Sequence, residues 1–172
     1  MKRGICLLLV CLGLVISQAV YAQSYEKGNK LLNVGLGLGT YGAGGLGFGG
    51  SFEVGIHPAI SVGVLAGYSG RSNYLGSGAR WSVLTLGVRG SYHLGELLKL
   101  NDDKIDIYAG LGLGYRNISW GYSGTAYSDN YGSGILPLAH IGGRYYFANN
   151  MAAYAELGSG FGALQAGISF KF

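Results

Sequence analysis

Six charged residues lie singly within stretches that are otherwise apolar or rich in glycine. They are Glu53, Arg89, Asp106, Arg116, Arg144 and Glu156. Carboxylates and guanidinium groups can neutralise one another as ion pairs, or they can line a path and select the ions that pass. Which of these they do depends on the elements that carry them and on how closely those elements approach.

A glycine-rich stretch, NVGLGLGTYGAGGLGFGG at residues 33–50, suggests a different chemistry. Residues 37–42 match the G-x-G-x-x-G pattern of dinucleotide-binding loops, which requires a helix after the last glycine. The sequence instead continues with apolar residues that alternate with glycine, which is typical of a β-strand. We therefore interpret these glycines as one face of a hairpin, rather than as a phosphate loop or a flexible linker.

The N-terminus has the parts of a secretory signal peptide. Lys2 and Arg3 precede an apolar run at residues 5–16, and small residues follow before a cleavage point. The run is too short to span a bilayer as a helix. We predict a signal peptide over residues 1–22 and a single domain over residues 23–172.

The composition of that domain indicates a membrane protein that does not cross the bilayer with helices. The whole chain has a mean hydropathy of +0.29, yet no apolar run after the signal peptide reaches the roughly 20 residues of a transmembrane helix. Both cysteines lie in the signal peptide, so no disulfide is expected. Removing Lys2 and Arg3 from twelve basic residues leaves ten against eight acidic ones, a net charge of +2, which does not indicate nucleic-acid binding.

Eight segments alternate apolar residues with small or polar ones, as the strands of a transmembrane barrel do. They are residues 30–40, 46–56, 60–69, 81–94, 104–117, 134–147, 151–160 and 163–172. All six charges share the phase of the small residues. Because an Arg or Lys that faces lipid near the midplane costs about 2–4 kcal/mol, this phase must face the lumen. We predict an all-β fold, a monomeric eight-stranded antiparallel up-and-down transmembrane β-barrel.

The lumen of such a barrel holds little beyond its own side chains, so the six charges should pair. Across the hairpin at residues 148–150 we predict a pair of Arg144 with Glu156, and across the lumen a pair of Arg89 with Glu53. A plug held by ion pairs is favoured over a selectivity role. The inward glycines leave space in the lumen. Either large side chains such as Tyr108 fill this space, or a narrow tunnel remains.

The connections orient the barrel. An even number of strands puts both termini at the end with short turns, here residues 57–59 and 148–150, and places the long polar stretches 70–80 and 119–133 outside. Tyrosine among glycine and serine suits adaptable contact surfaces, although contact with lipopolysaccharide headgroups is the simpler interpretation. The candidate contact residues are Arg71, Tyr74, Trp120, Tyr122 and Tyr127.

Three stretches resemble a known family. GVRGSYHLGELLKLNDDKIDIYAGLGLGYRN at 87–117, GGRYYFANNMAAYAELGSG at 142–160 and the ending LQAGISFKF resemble the small outer-membrane β-barrel family common in Bacteroidota, within the broad group of opacity, OmpA-type and OmpW-type barrels. The resemblance covers most of the mature chain and implies location and topology rather than an activity. Phe170 and Phe172 look like the C-terminal signal read by the barrel-assembly machinery, and both are also expected to face lipid.

Together these observations predict a non-enzymatic protein of the Gram-negative outer membrane with a structural or surface-contact role. The expected partners are outer-membrane lipid, lipopolysaccharide and the assembly machinery, with no cofactor, metal or nucleic acid. A narrow passive channel is the alternative that the inward glycines suggest. A lipid A-modifying enzyme is a third, but no G-x-S-x-G occurs, and residues 140–142 do not reproduce the His-x-Ser of the lipid A deacylases.

Overall fold

The computed structural model describes residues 25–39, 45–74, 79–122, 128–129 and 132–172, so the predicted signal peptide lies outside the described residues. The barrel strands are β1 (Lys30–Leu38), β2 (Leu46–His57), β3 (Ile60–Tyr74), β4 (Ala79–His93), β5 (Ile105–Tyr122), β6 (Gly134–Ala148), β7 (Met151–Gly158) and β8 (Leu164–Lys171). A two-residue segment, Ser128–Asp129, pairs with the end of β5. In these ranges no helix is long and apolar enough to cross a membrane.

The eight strands form one closed sheet. Each pairs antiparallel with its neighbour in sequence, and β1 also pairs antiparallel with β8. That closing ladder extends from Leu31 opposite Lys171 to Leu38 opposite Leu164. Closure leaves no barrel strand with an unpaired edge. The predicted eight-stranded antiparallel up-and-down barrel is confirmed.

The barrel has two distinct ends. At one, which we name the terminal end, β1 begins and β8 ends, and the turns 58–59 and 149–150 and the connection 94–104 lie there. Lys30 and Phe172 exchange two backbone hydrogen bonds at this end, at 3.1 and 2.9 Å. Strands β1, β3, β5 and β7 end at the opposite end of the barrel, which we name the loop end.

Alternation along the strands separates an apolar outside from a polar inside. The six predicted lumen charges are all buried. Large apolar side chains on the other phase are about half exposed or more; among them are Val34, Leu36, Phe48, Val64, Leu86, Val88, Leu111 and Leu113. A contiguous apolar belt of this kind matches the lipid-facing surface of a transmembrane barrel.

Strands β3, β4 and β5 are longer than the alternation predicted. They extend into the stretches 70–80 and 119–133, which we expected to be loops. The backbone ladder continues there, with Arg71 opposite Trp81, because hydrogen bonding between strands does not require alternating hydropathy. Tyr127 lies outside the described residues. Four of the predicted loop-contact residues lie on strands instead: Arg71, Tyr74, Trp120 and Tyr122.

Candidate functional site in the barrel lumen

Five of the six predicted lumen charges form one connected group, which we name the ion-pair layer. Its members are Glu53, Arg89, Asp106, Arg144 and Glu156. They come from five strands, β2, β4, β5, β6 and β7, and each is at most 5% exposed. The alternation turns every one of them inward, and closure of the sheet brings the five strands around a common axis.

The Arg144 guanidinium connects two carboxylates of this layer. It donates to Asp106 Oδ2 at 2.8 Å and to Glu53 Oε1 at 3.3 Å, and its Nε donates to Asn33 Oδ1 at 3.2 Å. Its Cζ lies 4.1 Å from the centroid of the Tyr108 ring, a cation–π contact. A buried cation costs free energy unless charges and hydrogen bonds compensate it. Arg144 has both kinds of partner.

Arg89 and Glu156 form a two-pronged pair in the same layer. The two guanidinium nitrogens of Arg89 donate to the two carboxylate oxygens at 3.0 and 2.7 Å, the geometry of the strongest ion pairs. The Tyr108 hydroxyl and the Gln165 amide also donate to Glu156, at 3.1 and 3.3 Å. Arg89 Nε lies 3.7 Å from Glu53 Oε1. The expected contact of Arg89 with Glu53 is therefore present and joins this pair to Arg144.

The predicted pair of Arg144 with Glu156 is wrong. The strand register places Arg144 directly opposite Asp106, whereas Glu156 lies opposite Gly142. A directly opposite neighbour is closer than a diagonal one. Arg144 therefore pairs with Asp106, and Glu156 pairs with Arg89 across the lumen.

Glu53 accepts hydrogen bonds from neutral side chains that the sequence analysis did not single out. The Ser61 and Ser91 hydroxyls donate to its Oε2 at 2.8 and 2.7 Å. The Asn33 amide donates to its Oε1 at 3.4 Å. These residues share the inward phase of their strands, which the sequence shows, but the phase alone does not tell which inward residues meet.

Arg116 is buried too. It stands on β5 opposite Thr85 on β4 and Gly134 on β6. Arg89 of the ion-pair layer lies opposite Gly112 on β5, four residues from Arg116, which is about 13 Å at about 3.3 Å per residue. That Arg116 belongs to one network with the other five charges stays a prediction.

Ser61, His93 and Asp106 have the spacing of a catalytic triad. His93 Nδ1 lies 2.7 Å from Asp106 Oδ1, and its Nε2 lies 3.1 Å from Ser61 Oγ. A nucleophilic serine gives its proton to the histidine, but the Ser61 hydroxyl donates to Glu53 and is 0% exposed. The group therefore acts as a packing network. In the described ranges no three His, Cys, Asp or Glu side chains are placed to hold a metal ion.

Phe161 occupies the space that the inward glycines leave toward the loop end. A Cβ built on Gly49 would lie 2.6 Å from Phe161 Cδ1, and one on Gly37 would lie 2.9 Å from Cδ2. A Cβ on Gly67 would overlap the Phe161 Cβ, and one on Gly47 would lie 2.9 Å from its carbonyl oxygen. We name these four glycines and Phe161 the glycine cleft. The Phe161 side chain is buried there.

Phe161 reaches the cleft because the connection between β7 and β8 folds inward. Ser159 anchors this connection: its Oγ accepts from Ala139 N at 2.8 Å, and its N donates to Ala139 O at 2.9 Å. Phe161 could not be found from alternation, because it lies between two alternating segments. The available signal was an aromatic residue flanked by glycines, Gly160 and Gly162, in a chain with a glycine-lined face.

Two inward tyrosines fill space beside other glycines, as one of our alternatives expected. A Cβ on Gly142 would lie 2.7 Å from the Tyr108 hydroxyl oxygen. A Cβ on Gly35 would lie 2.6 Å from that of Tyr154. The glycines therefore accommodate rings that cross the lumen, rather than lining an empty tunnel at these positions.

Comparison with known proteins identifies the architecture alone. No protein-family profile matches the chain, and no curated protein matches its sequence. A de novo designed transmembrane β-barrel is 19% identical, with a TM-score of 0.55 over 87% of this chain and 99% of the design. The N-terminal β-barrel domain of Pseudomonas aeruginosa OprF is 18% identical, with a TM-score of 0.53 over 86% and 98%. Ail, the attachment invasion locus protein of Yersinia pestis, is 13% identical, with a TM-score of 0.52 over 85% and 99%.

These structures are small outer-membrane barrels or a design of that type, and the matches cover most of this chain and nearly all of theirs. At such low identity they show a shared fold and no shared activity. The resemblance to a family of Bacteroidota finds no support in them. The chain therefore has the fold of the small eight-stranded outer-membrane barrels, and its role must be argued from its own lumen and surface.

Proposed function

We propose that the chain is an integral outer-membrane protein that fills its own lumen and acts in envelope structure or surface contact, without enzymatic activity. The filled lumen is the observation that carries this proposal. Arg144 and Arg89 cross the middle of the barrel with their carboxylate partners, and Phe161 occupies the glycine cleft. A barrel filled in this way holds its two ends on opposite sides of the membrane. Its lumen offers no open path for solutes.

Conductance tests the filled lumen. Purified protein inserted into planar lipid bilayers should show no stepwise conductance above that of a protein-free bilayer. A large porin prepared in the same detergent would serve as the positive control for insertion. Reproducible conductance steps from the unmodified protein would contradict the proposal and favour the passive channel that the inward glycines suggested.

The proposed location follows from the apolar belt and the fold. We expect the loop end to face outside and the terminal end to face the periplasm, with lipopolysaccharide around the loop end and Phe170 and Phe172 acting as the assembly signal. Folded protein should migrate differently from boiled protein on a gel, and the barrel should resist protease in intact cells. Recovery as a soluble periplasmic protein would contradict this location.

Surface contact is proposed for the loop end, where Arg71, Tyr74, Trp120, Tyr122 and Tyr127 occur in the sequence. Aromatic residues and arginine are the types that dominate contact surfaces. Arg71→Ala and Trp120→Ala variants in nanodiscs should bind lipopolysaccharide vesicles less than the unmodified protein. A matched Lys104→Ala variant changes the opposite end and should bind normally. Equal binding by all three variants would show that Arg71 and Trp120 do not contribute to the proposed contact surface.

A lipid A-modifying activity is not proposed, because the Ser61 hydroxyl is fully buried and committed to Glu53. The mass of lipid A should be unchanged in cells that express the protein. A shifted mass that disappears in a Ser61→Ala variant would overturn this assignment.

A further inference from the structure

A polar cavity of about 440 Å³ opens at the terminal end of the barrel. Its floor contains His93 and Asp106, and the Tyr25 ring, which also lines it, stacks on His93 with centroids 3.4 Å apart. The Tyr25 hydroxyl donates to Ile60 O at 2.6 Å, so the ring is held in place. Burial, together with the carboxylates of Asp106 and Glu53, raises the Tyr25 pKa to about 12. The volume lies within the range of small-molecule sites.

One wall of this cavity is the connection between β4 and β5, residues 94–104. Two residues suffice for each of the other turns at the terminal end, 58–59 and 149–150. The longer connection is ordered: Leu100 N donates to Gly95 O at 3.0 Å, and Lys99 N donates to Glu96 O at 3.1 Å. These two bonds are the pattern of a Schellman motif, in which Lys99 occupies the left-handed position.

Lys99 has a φ of 50°, the one non-glycine residue with a positive φ in the described part of the chain. Glycine is the usual residue there because a Cβ strains the left-handed conformation. Lys99 also lines the cavity. A residue kept in a strained conformation suggests that it has a role at this position.

Charges of both signs surround the same cavity without neutralising one another. Glu96 and Asp102 line it together with Lys99. Among the described residues, no ion pair within 4.0 Å joins Lys99 to either carboxylate. Separated, solvent-accessible charges of opposite sign complement a ligand that itself carries both signs at its two ends.

We propose that this cavity binds the free ends of an amino acid or short peptide. The ligand carboxylate lies at Lys99 and Asn101, and the ligand ammonium lies at Glu96 and Asp102. Tyr25 and Leu100 contact the apolar part between them. The site goes beyond the proposed function, and because it uses only the terminal end, it stands or falls independently of whether the lumen conducts.

Titration of the full-length mature protein in nanodiscs with alanylalanine tests the site. Three blocked forms serve as probes: the N-acetyl dipeptide, the dipeptide amide, and the doubly blocked dipeptide. Chemical-shift changes of residues 94–104 should saturate with the free dipeptide. Each single block should weaken binding about tenfold, the equivalent of one charge-assisted hydrogen bond. Absence of saturable shifts, or equal binding of the free and doubly blocked forms, would overturn the proposal.

Lys99→Gly separates the binding role of this residue from its structural role. Glycine suits the left-handed position, so the variant should fold with an unchanged or higher Tm, while affinity for alanylalanine falls about tenfold. Lys104→Gln is the matched control, because it removes the same charge from the same connection but does not line the cavity; it should bind as the unmodified protein does. Normal binding by Lys99→Gly, or an equal loss in the control, would contradict the site.

Discussion

The ion-pair layer and the glycine cleft fill the same lumen by different means. The layer uses five charged side chains joined by ion pairs, such as Arg144 with Asp106 at 2.8 Å. The cleft uses the absence of side chains: four glycines on β1, β2 and β3 accept a single ring, Phe161. One region depends on charge balance at low dielectric, and the other depends on shape.

The two regions should tolerate change differently. Removing an arginine from the layer leaves buried carboxylates without a cation, which costs far more than the net value of the pair. Removing the ring from the cleft leaves an apolar space and no unpaired charge. We therefore expect stability to reside mainly in the ion-pair layer, and the cleft to tolerate substitution better.

Arg144→Met should have the largest effect. It leaves Glu53 and Asp106 without their shared cation and should lower the free energy of unfolding by about 3–5 kcal/mol. Urea unfolding in phospholipid vesicles measures this, with band shift on gels as a second readout. Adding Asp106→Asn to Arg144→Met should recover part of the loss, because one stranded charge is then removed. A loss below about 1 kcal/mol for Arg144→Met would contradict the expectation that stability resides mainly in the ion-pair layer.

Phe161→Ala should have the next largest effect. Loss of the buried ring costs about 1.5–3 kcal/mol in transfer free energy, and any cavity that does not close adds to this loss. Planar bilayers that contain this variant should still show no conductance, because the ion-pair layer still closes the lumen on the terminal-end side of the cleft. Stable conductance in Phe161→Ala would mean that the cleft, and not the layer, is the barrier.

Gly67→Ala tests the shape of the cleft directly. Its Cβ would overlap that of Phe161, so we expect a loss of about 1–2 kcal/mol as Phe161 and its connection are displaced. The same change in a Phe161→Gly background, which also removes the Cβ of residue 161, should cost almost nothing. Gly90→Ala is the matched control, since its Cβ would meet only Ser61 O at 3.8 Å. Equal losses at Gly67 and Gly90 would show that β-strand glycines matter for another reason.

Ser61→Ala should have one of the smaller effects. It removes one hydrogen bond to the Glu53 carboxylate, a kind of bond worth about 1.5–3 kcal/mol, while Ser91 still donates to the same oxygen at 2.7 Å. Replacing both serines should cost more than the sum of the single changes, because Glu53 Oε2 then has no hydroxyl donor. A collapse of the fold with Ser61→Ala alone would show that the hydroxyl is more central to the layer than its single bond suggests.

Much of the fold was predictable because its signal is local. Val34, Leu36 and Leu38 alternate with glycine, and a strand turns successive side chains to opposite faces. The inward position of all six charges followed from the same rule and is confirmed by their burial. The ends of β3 and β5 were not predictable in this way, because backbone pairing continues beyond the apolar belt.

The partners within the lumen were less predictable. Arg144 and Glu156 lie diagonally across a hairpin, but the strand register places Asp106 directly opposite Arg144. Phe161 had no alternation to reveal it. Lys99 gave no signal either, because a left-handed conformation is recognisable from sequence only where glycine or asparagine marks it.

Which residues face outward and which face the lumen follows from the sequence alone, because it depends on a period of two within each strand. The tertiary structure sets which inward residues meet, the entry of Phe161 into the glycine cleft, and the stacking of Tyr25 on His93. Those outcomes depend on how β1 closes onto β8 and on the relative register of all eight strands. Such relations join residues far apart in the chain, and no local pattern of residues encodes them.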